Sequence, residues 1–306
     1  MKHKRDWRTM IIDSHAHLTH YQFKQDFRFL RAGDTGYTVV DGTLSDVIGA
    51  CKTQQVIGSI EPAISFESNA LIRDFQPPKG CIFYRAVGVH PTRVHQTKLK
   101  NRKLLADYIN SETVAIGETG LDYHYPRKEQ HRVLQKLWFK CQIKLADKYK
   151  LPLILHVRQA DGDALTILKK YKSRLHGGVV HCFSGAPEIA EQYLSLGFAL
   201  GIGGTLLQRN AAAGRLRESV KVAPLEKLIV ETDAPFVLPE FPYEGSKKSR
   251  RKIRNTSTIL PLIVQEIAEI KGIGVETAER VIYGNTIGIF NLPIEESESP
   301  HDKNLA

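Results

Sequence analysis

Short apolar runs recur along this chain, separated by longer amphipathic stretches, and that alternation restricts the folds open to it more than any other feature. Eight runs read as strands, near residues 10–13, 55–60, 82–89, 113–117, 152–155, 178–181, 198–203 and 227–232. Several, such as Val56-Ile57-Gly58-Ser59-Ile60 and Leu153-Ile154-Leu155, show no polar alternation, as expected when helices cover one face and packed side chains the other. Over 129–149, Val133, Leu134, Leu137, Trp138, Cys141, Leu145 and Ala146 recur at helical spacing. Further helices are expected over 163–171, over 187–196 with Pro187 in the first turn, and over 260–270 with Gly272 as the stop. Asn255-Thr256-Ser257 offers capping hydroxyls before the last of these. Repeated strand–helix units predict an α/β fold, a TIM-type (β/α)8 barrel in one domain. The expected bounds are 10–291, with an N-terminal extension over 1–9 and a polar tail over 292–306. Residues 26–44 read as a long loop after the first strand.

A chain of 306 residues that is 42% hydrophobic can bury one large core. Its 43 Lys and Arg against 33 Asp and Glu leave a charge of +10, which suits an acidic partner such as nucleic acid or, more blandly, simple solubility. The four cysteines form no C-x-x-C pair and no disulfide-like spacing, so a reducing, cytoplasmic setting is expected. No signal-peptide core opens the chain and no eighteen apolar residues run together, so no membrane partner is expected; the sequence leaves the oligomeric state open, a monomer being compatible with it.

Five of the runs end in residues able to bind a metal: His15 and His17 after Ile11-Ile12, Glu118, His156, His181 and Asp233. In parallel barrels the C-terminal strand ends open onto one face, so these six residues should converge there. His15 and His17, two apart on an extended strand, point the same way and can share an ion. Glu118 follows Gly117, where backbone can approach closely, and its two oxygens could bridge two ions. Each residue alone has a plainer reading: a surface His-x-His, a glutamate in a turn, a core histidine or an aspartate in a loop. Together they predict an active site for two divalent metal ions, where imidazoles and carboxylates suit Zn, Mn or Fe better than Mg. Water activated there and oriented by Asp233 would attack an ester. Glu231, two residues before Asp233, points to the same face but deeper. Lys247, Lys248, Arg250, Arg251, Lys252 and Arg254 crowd the segment after Asp233, where they would meet phosphates or form a solvated loop. Tyr21, Phe23, Tyr123, Tyr125 and Phe183 are aromatic candidates for stacking on bases or for ordinary packing.

Gly117-Glu118-Thr119-Gly120-Leu121-Asp122-Tyr123, His156-Val157-Arg158, His181-Cys182-Phe183-Ser184-Gly185 and Glu231-Thr232-Asp233-Ala234-Pro235 closely resemble the TatD family of metal-dependent deoxyribonucleases, amidohydrolase-like barrels. The resemblance runs from about Ile11 to Leu292. It implies that His15, His17, Glu118 and Asp233 hold one ion and that Glu118, His156 and His181 hold the second. It also implies substrate contacts from His90 and Arg158, a supporting role for Asp122, and trimming of single-stranded DNA from a 3′ end, with RNA an alternative substrate. Two features depart from the family: Asn255-Thr256-Ser257 replaces a common Asn-Glu-Pro, and the 26–44 segment is longer than expected. Other chemistries remain open to such a site, namely hydrolysis of an amide or ester, including aminoacyl-tRNA deacylation. A barrel that binds nucleic acid without catalysis is the third reading.

Overall fold

Apolar runs become strands and amphipathic stretches become helices in the computed structural model, which describes residues 10–33, 36–124, 129–244 and 246–293. The expected extension over 1–9, the tail beyond 293 and Tyr125 lie outside the described residues. The chain opens with β1 (Ile11–Asp13), β2 (Phe27–Gly33), β3 (Gly36–Gly42), α1 (Leu44–Thr53), β4 (Val56–Pro62), α2 (Phe66–Asp74), β5 (Ile82–Val87) and β6 (Thr113–Asp122). It continues through α3 (Glu129–Tyr149), β7 (Leu153–Arg158), α4 (Asp161–Lys170), β8 (Gly178–Val180), α5 (Pro187–Ser195), β9 (Phe198–Ile202), α6 (Ala211–Val222) and β10 (Leu228–Val230). The last elements are α7 (Lys247–Arg250), β11 (Ile253–Arg254), α8 (Leu260–Lys271) and α9 (Val275–Phe290).

Eight parallel strands form one sheet in the order β1-β4-β5-β6-β7-β8-β9-β10, a nearly closed TIM-type barrel in a single domain. Its seam is made by backbone running past the short ends of β1 and β10. Ser14 donates to the Val230 carbonyl at 3.0 Å, Asp233 to His15 at 2.9 Å and His17 to Ala234 at 2.8 Å. Ile12, Ile60, Ala86, Ala115, Ile154, Val179 and Ile229, each from a different strand, pack together with Phe290 and Leu292 beyond the end of α9. That cluster fills the barrel, so there is no pore. A larger apolar shell, including Trp138, Phe139 and Ile143 of α3, lies between strands and helices.

The helix boundaries follow from the predicted punctuation. Pro187 occupies the first turn of α5, where a missing N–H costs nothing. α8 ends at Gly272, whose φ of 65° is the left-handed conformation that glycine adopts without strain.

Two sequence expectations are corrected. The segment over 26–44 is a hairpin: β2 and β3 pair antiparallel from Phe27↔Gly42 to Gly33↔Gly36, and β11 adds a parallel third strand through Ile253↔Arg28. The β-branched run Thr38-Val39-Val40 across a Gly-rich turn carries that signal. Likewise, Asn255, Thr256 and Ser257 do not cap α8, which has no side-chain cap. Asn255 Nδ2 instead donates to the Thr232 and Val237 carbonyls, and Thr256 Oγ1 to Leu30.

Ser257 belongs to the barrel seam. Fully buried Asp13 accepts from Thr232 N at 3.0 Å, Thr232 Oγ1 at 2.6 Å, Ser257 Oγ at 2.7 Å and His15 N at 3.2 Å. These donors join β1, the exit of β10 and the approach to α8. Removing one donor from a buried carboxylate costs on the order of 1–3 kcal/mol. Ser257→Ala should therefore lower unfolding stability in urea by about that amount, and an unchanged midpoint and slope would contradict the assigned role of this network.

Candidate metal centre

Residues at or just beyond the C-terminal ends of the barrel strands meet in one cavity of about 500 Å³, lined by His17, Glu61, His90, Glu118, His156, His181 and Asp233 among others. The six residues expected to converge do converge. Glu118, 3% exposed within the last half of β6, lies at their centre. Its Oε2 is 3.6 Å from His15 Nε2 and 3.9 Å from His17 Nε2, while its Oε1 is 3.0 Å from His156 Nδ1, 3.3 Å from His90 Nε2 and 3.7 Å from His181 Nε2. The two oxygens thus face two different sets of imidazoles. Asp233 Oδ1 completes the first set, 3.7 Å from His15 and 3.4 Å from His17.

Why the ligands point inward is legible in their neighbours. Asp122 Oδ2 lies 3.0 Å from His156 Nε2, which leaves Nδ1 for Glu118. Glu231 Oε1 lies 2.9 Å from His181 Nδ1, an ionic contact without hydrogen-bond alignment, which leaves Nε2 for the centre. The same Glu231 oxygen accepts from Cys182 N at 2.5 Å. Cys182 has φ 48° and Asp233 φ 54°, left-handed conformations costing about 1–3 kcal/mol in a non-glycine residue. Tertiary contacts fix both: the Glu231 acceptor at Cys182, and the His15 carbonyl that accepts from Asp233 N. Gly120 is required at φ 139° because a Cβ there would stand 2.1 Å from the His156 carbonyl. Glu61, buried at the end of β4, accepts from Thr19 N at 3.1 Å and from Thr19 Oγ1, so it fixes the loop that follows His17.

Burial favours neutral forms, and opposite charges overcome it at Glu118, Asp233 and His181 but not at Glu61. Burial alone would raise Glu118; the imidazoles of His90, His15 and His156 hold it well below the usual carboxylate range. Asp233 is likewise raised by burial and lowered further by His17, His181 and His15. Burial and then His181 keep His15 below the usual imidazole value, and burial lowers His90. At His181 burial opposes the charged ring, yet Glu231 pushes it up to about 10. Burial lifts Glu61 to about 7.

Such a site fits a metal. His15 Nε2 and His17 Nε2 face each other at 3.3 Å, a contact that needs a proton or a cation between the lone pairs. Separations of 3.3–3.9 Å among these nitrogens and oxygens match the roughly 3.4 Å between ligands about 2.1 Å from a tetrahedral ion. The groups His15–His17–Glu118 and His90–Glu118–His156 each bring ligand atoms within 4.8 Å of one another.

Other expected residues distribute differently. His90 reaches Glu118 itself, lies edge-on to His156 at 4.2 Å and lines the cavity. Arg158 is exposed at the end of β7 beside Asp122 in the ladder, outside the residues lining the cavity. Tyr123 is engaged by Asp163 at 2.6 Å, and Phe23 and Phe183 are buried in the core. In the basic run, Arg250 lies over the Phe241 ring at 4.8 Å and Arg254 extends β11 beside the hairpin. Sequence reasoning passed over Glu61, although Val56–Ile60 is an apolar run ending in a carboxylate like the others.

The family model for TatD related DNase matches residues 12–291. A Bacillus subtilis protein described as an uncharacterized metal-dependent hydrolase, YabD, is 30% identical over 289 residues, covering 92% of this chain and 100% of that one. The protein named 3′-5′ ssDNA/RNA exonuclease TatD from Erwinia billingiae is 32% identical over 286 residues, covering 92% and 100%. The crystal structure of YJJV, a TatD homologue from Escherichia coli K12, superposes with a TM-score of 0.73 at 26% identity, covering 94% and 100%. The family model matched almost end to end, on a barrel whose strand ends gather imidazoles and carboxylates around one central glutamate, makes this chain a member of the TatD family of metal-dependent hydrolases.

Proposed function

We propose that this protein is a nuclease that uses two divalent cations to cleave phosphodiesters in single-stranded nucleic acid, removing nucleotides from the 3′ end of DNA. The observation that carries this reading is Glu118, whose Oε2 and Oε1 face separate imidazole sets. His15, His17, Glu118 and Asp233 would hold one ion and Glu118, His156 and His181 the other, with His90 steadying Glu118 Oε1. A cation pair of this kind acidifies water and neutralises charge on a phosphoryl group. Asp233, anionic and 18% exposed at its side chain, orients the attacking water and takes its proton. The water oxygen would bond to phosphorus as the P–O ester bond breaks, the leaving oxygen would take up the proton that Asp233 received, and Arg158 would meet the phosphate chain. The 3′-end polarity and the choice of single strands are supported by the relatives named for that activity. The net charge of +10 suits a polyanionic substrate.

End-labelled single-stranded DNA, RNA and an aminoacyl ester, each incubated with Mn2+-loaded protein, separate the chemistries. Stepwise shortening of 3′ ends is expected, and Glu118→Gln should reduce the rate by about a thousandfold or more with circular dichroism unchanged. Full activity in that variant would refute the assignment, and ester cleavage alone would transfer the site to the deacylase reading.

Asp122 and Glu231 orient ligands without joining them, an arrangement whose loss costs about 10–100-fold in metal affinity. Asp122→Asn and Glu231→Gln should each weaken Mn2+ binding by about that factor in calorimetric titration. Wild-type affinity in both would show that these contacts are incidental.

A further inference from the structure

Nuclease chemistry at the centre leaves one group of side chains at the cavity without a task. Tyr21 is 68% exposed and Phe236 43% exposed, large aromatic surfaces only four and three residues from His17 and Asp233. Both line the same cavity as those two residues. His20 links them, its ring centroid 4.3 Å from that of Tyr21 and 5.2 Å from that of Phe236. Phe236 in turn meets His17 edge-on at 6.1 Å. Four rings therefore run in continuous contact from solvent to the catalytic cluster.

Local structure turns these rings outward. Tyr21 begins a short 3-10 turn, Tyr21–Phe23, in which Phe23 is the buried residue and packs on Phe27 at 4.9 Å. His20 caps that turn by accepting from Gln22 N at 3.4 Å. Phe236 N donates to the Asp233 carbonyl at 2.8 Å, so its loop is anchored at a ligand. Glu61, through Thr19, anchors the loop that carries His20 and Tyr21. The rings are thus fixed by the same contacts that fix the centre. Lys24 lines the cavity as well.

We propose that Tyr21, His20 and Phe236 form a stacking platform for one nucleobase next to the phosphate handled at the metal centre, with Lys24 receiving a neighbouring phosphate. The inference rests on the nuclease reading for the identity of the occupant. An exposed aromatic face accepts the π-face of any base, so the platform is tolerant of sequence. An internal base of a duplex already has both faces stacked and cannot use it, so the preferred substrate is an unpaired nucleotide.

Calorimetric titration of the Mn2+-loaded protein with dAMP and with 2-deoxyribose 5-phosphate isolates the base from the phosphate. The wild type should bind dAMP about tenfold more tightly or better, and Tyr21→Ala combined with Phe236→Ala should bring the two ligands within about twofold of each other. Tyr21→Trp should keep the preference, and circular dichroism should show the exposed substitutions to be folded. Equal affinities in the wild type, or a preference that survives the double substitution, would overturn the platform. A base preference in a protein that shortens no oligonucleotide would retain the platform and remove the nuclease reading; shortening without base preference would do the reverse.

Discussion

A carboxylate sealed inside a barrel keeps its charge only if opposite charge or strong donors surround it, and Glu118 meets that condition from both sides. His90, His15 and His156 lower its affinity for a proton despite complete burial. Removing this carboxylate would take away the acceptor that these imidazoles face, and burial would then favour their neutral forms. The imidazole positions therefore depend on the glutamate as much as the reverse. In the proposed enzyme two cations take over that neutralisation.

The barrel exists, in functional terms, to hold this arrangement open. Its residues come from β1, β5, β6, β7, β8 and the exit of β10, so a slip among the neighbouring strands β5, β6, β7 and β8 would pull the cluster apart. Closure between β1 and β10 is consequently part of the site: Asp13 ties Thr232 and Ser257 to the strand carrying His15. Asp122, Glu231 and Glu61 repeat this logic one layer out, each holding a ring or loop that itself approaches the centre. The strain at Cys182 and Asp233 is tolerated because those same contacts leave no alternative backbone path.

Much of this was legible in the sequence because it follows from periodicity. Apolar strands ending in His156, His181 and Glu118 can meet only where parallel strands open onto one face, and α3 matches its predicted span of 129–149. Local pattern failed where tertiary contacts supplied the order. The hairpin β2–β3 looked like a loop because its glycines and charges outweigh its short β-branched run, and its edge is completed by β11 from more than two hundred residues away. Asn255 and Ser257 looked like caps because their hydroxyl and amide chemistry suits that role; in the fold their side chains are turned to donate to the Thr232 carbonyl and to Asp13. Glu231 read as deeper than Asp233, and it is, but its contact with His181 needs the strand neighbour Gly201, whose missing side chain makes room for its carboxylate.

Anomalous diffraction from crystals of the full chain grown with Mn2+ tests the central claim most directly. Two peaks flanking the Glu118 carboxylate are predicted, one among His15, His17 and Asp233 and the other beside His156 and His181. Absence of metal density at Glu118 at saturating Mn2+, or density only at residues remote from it, would contradict the account.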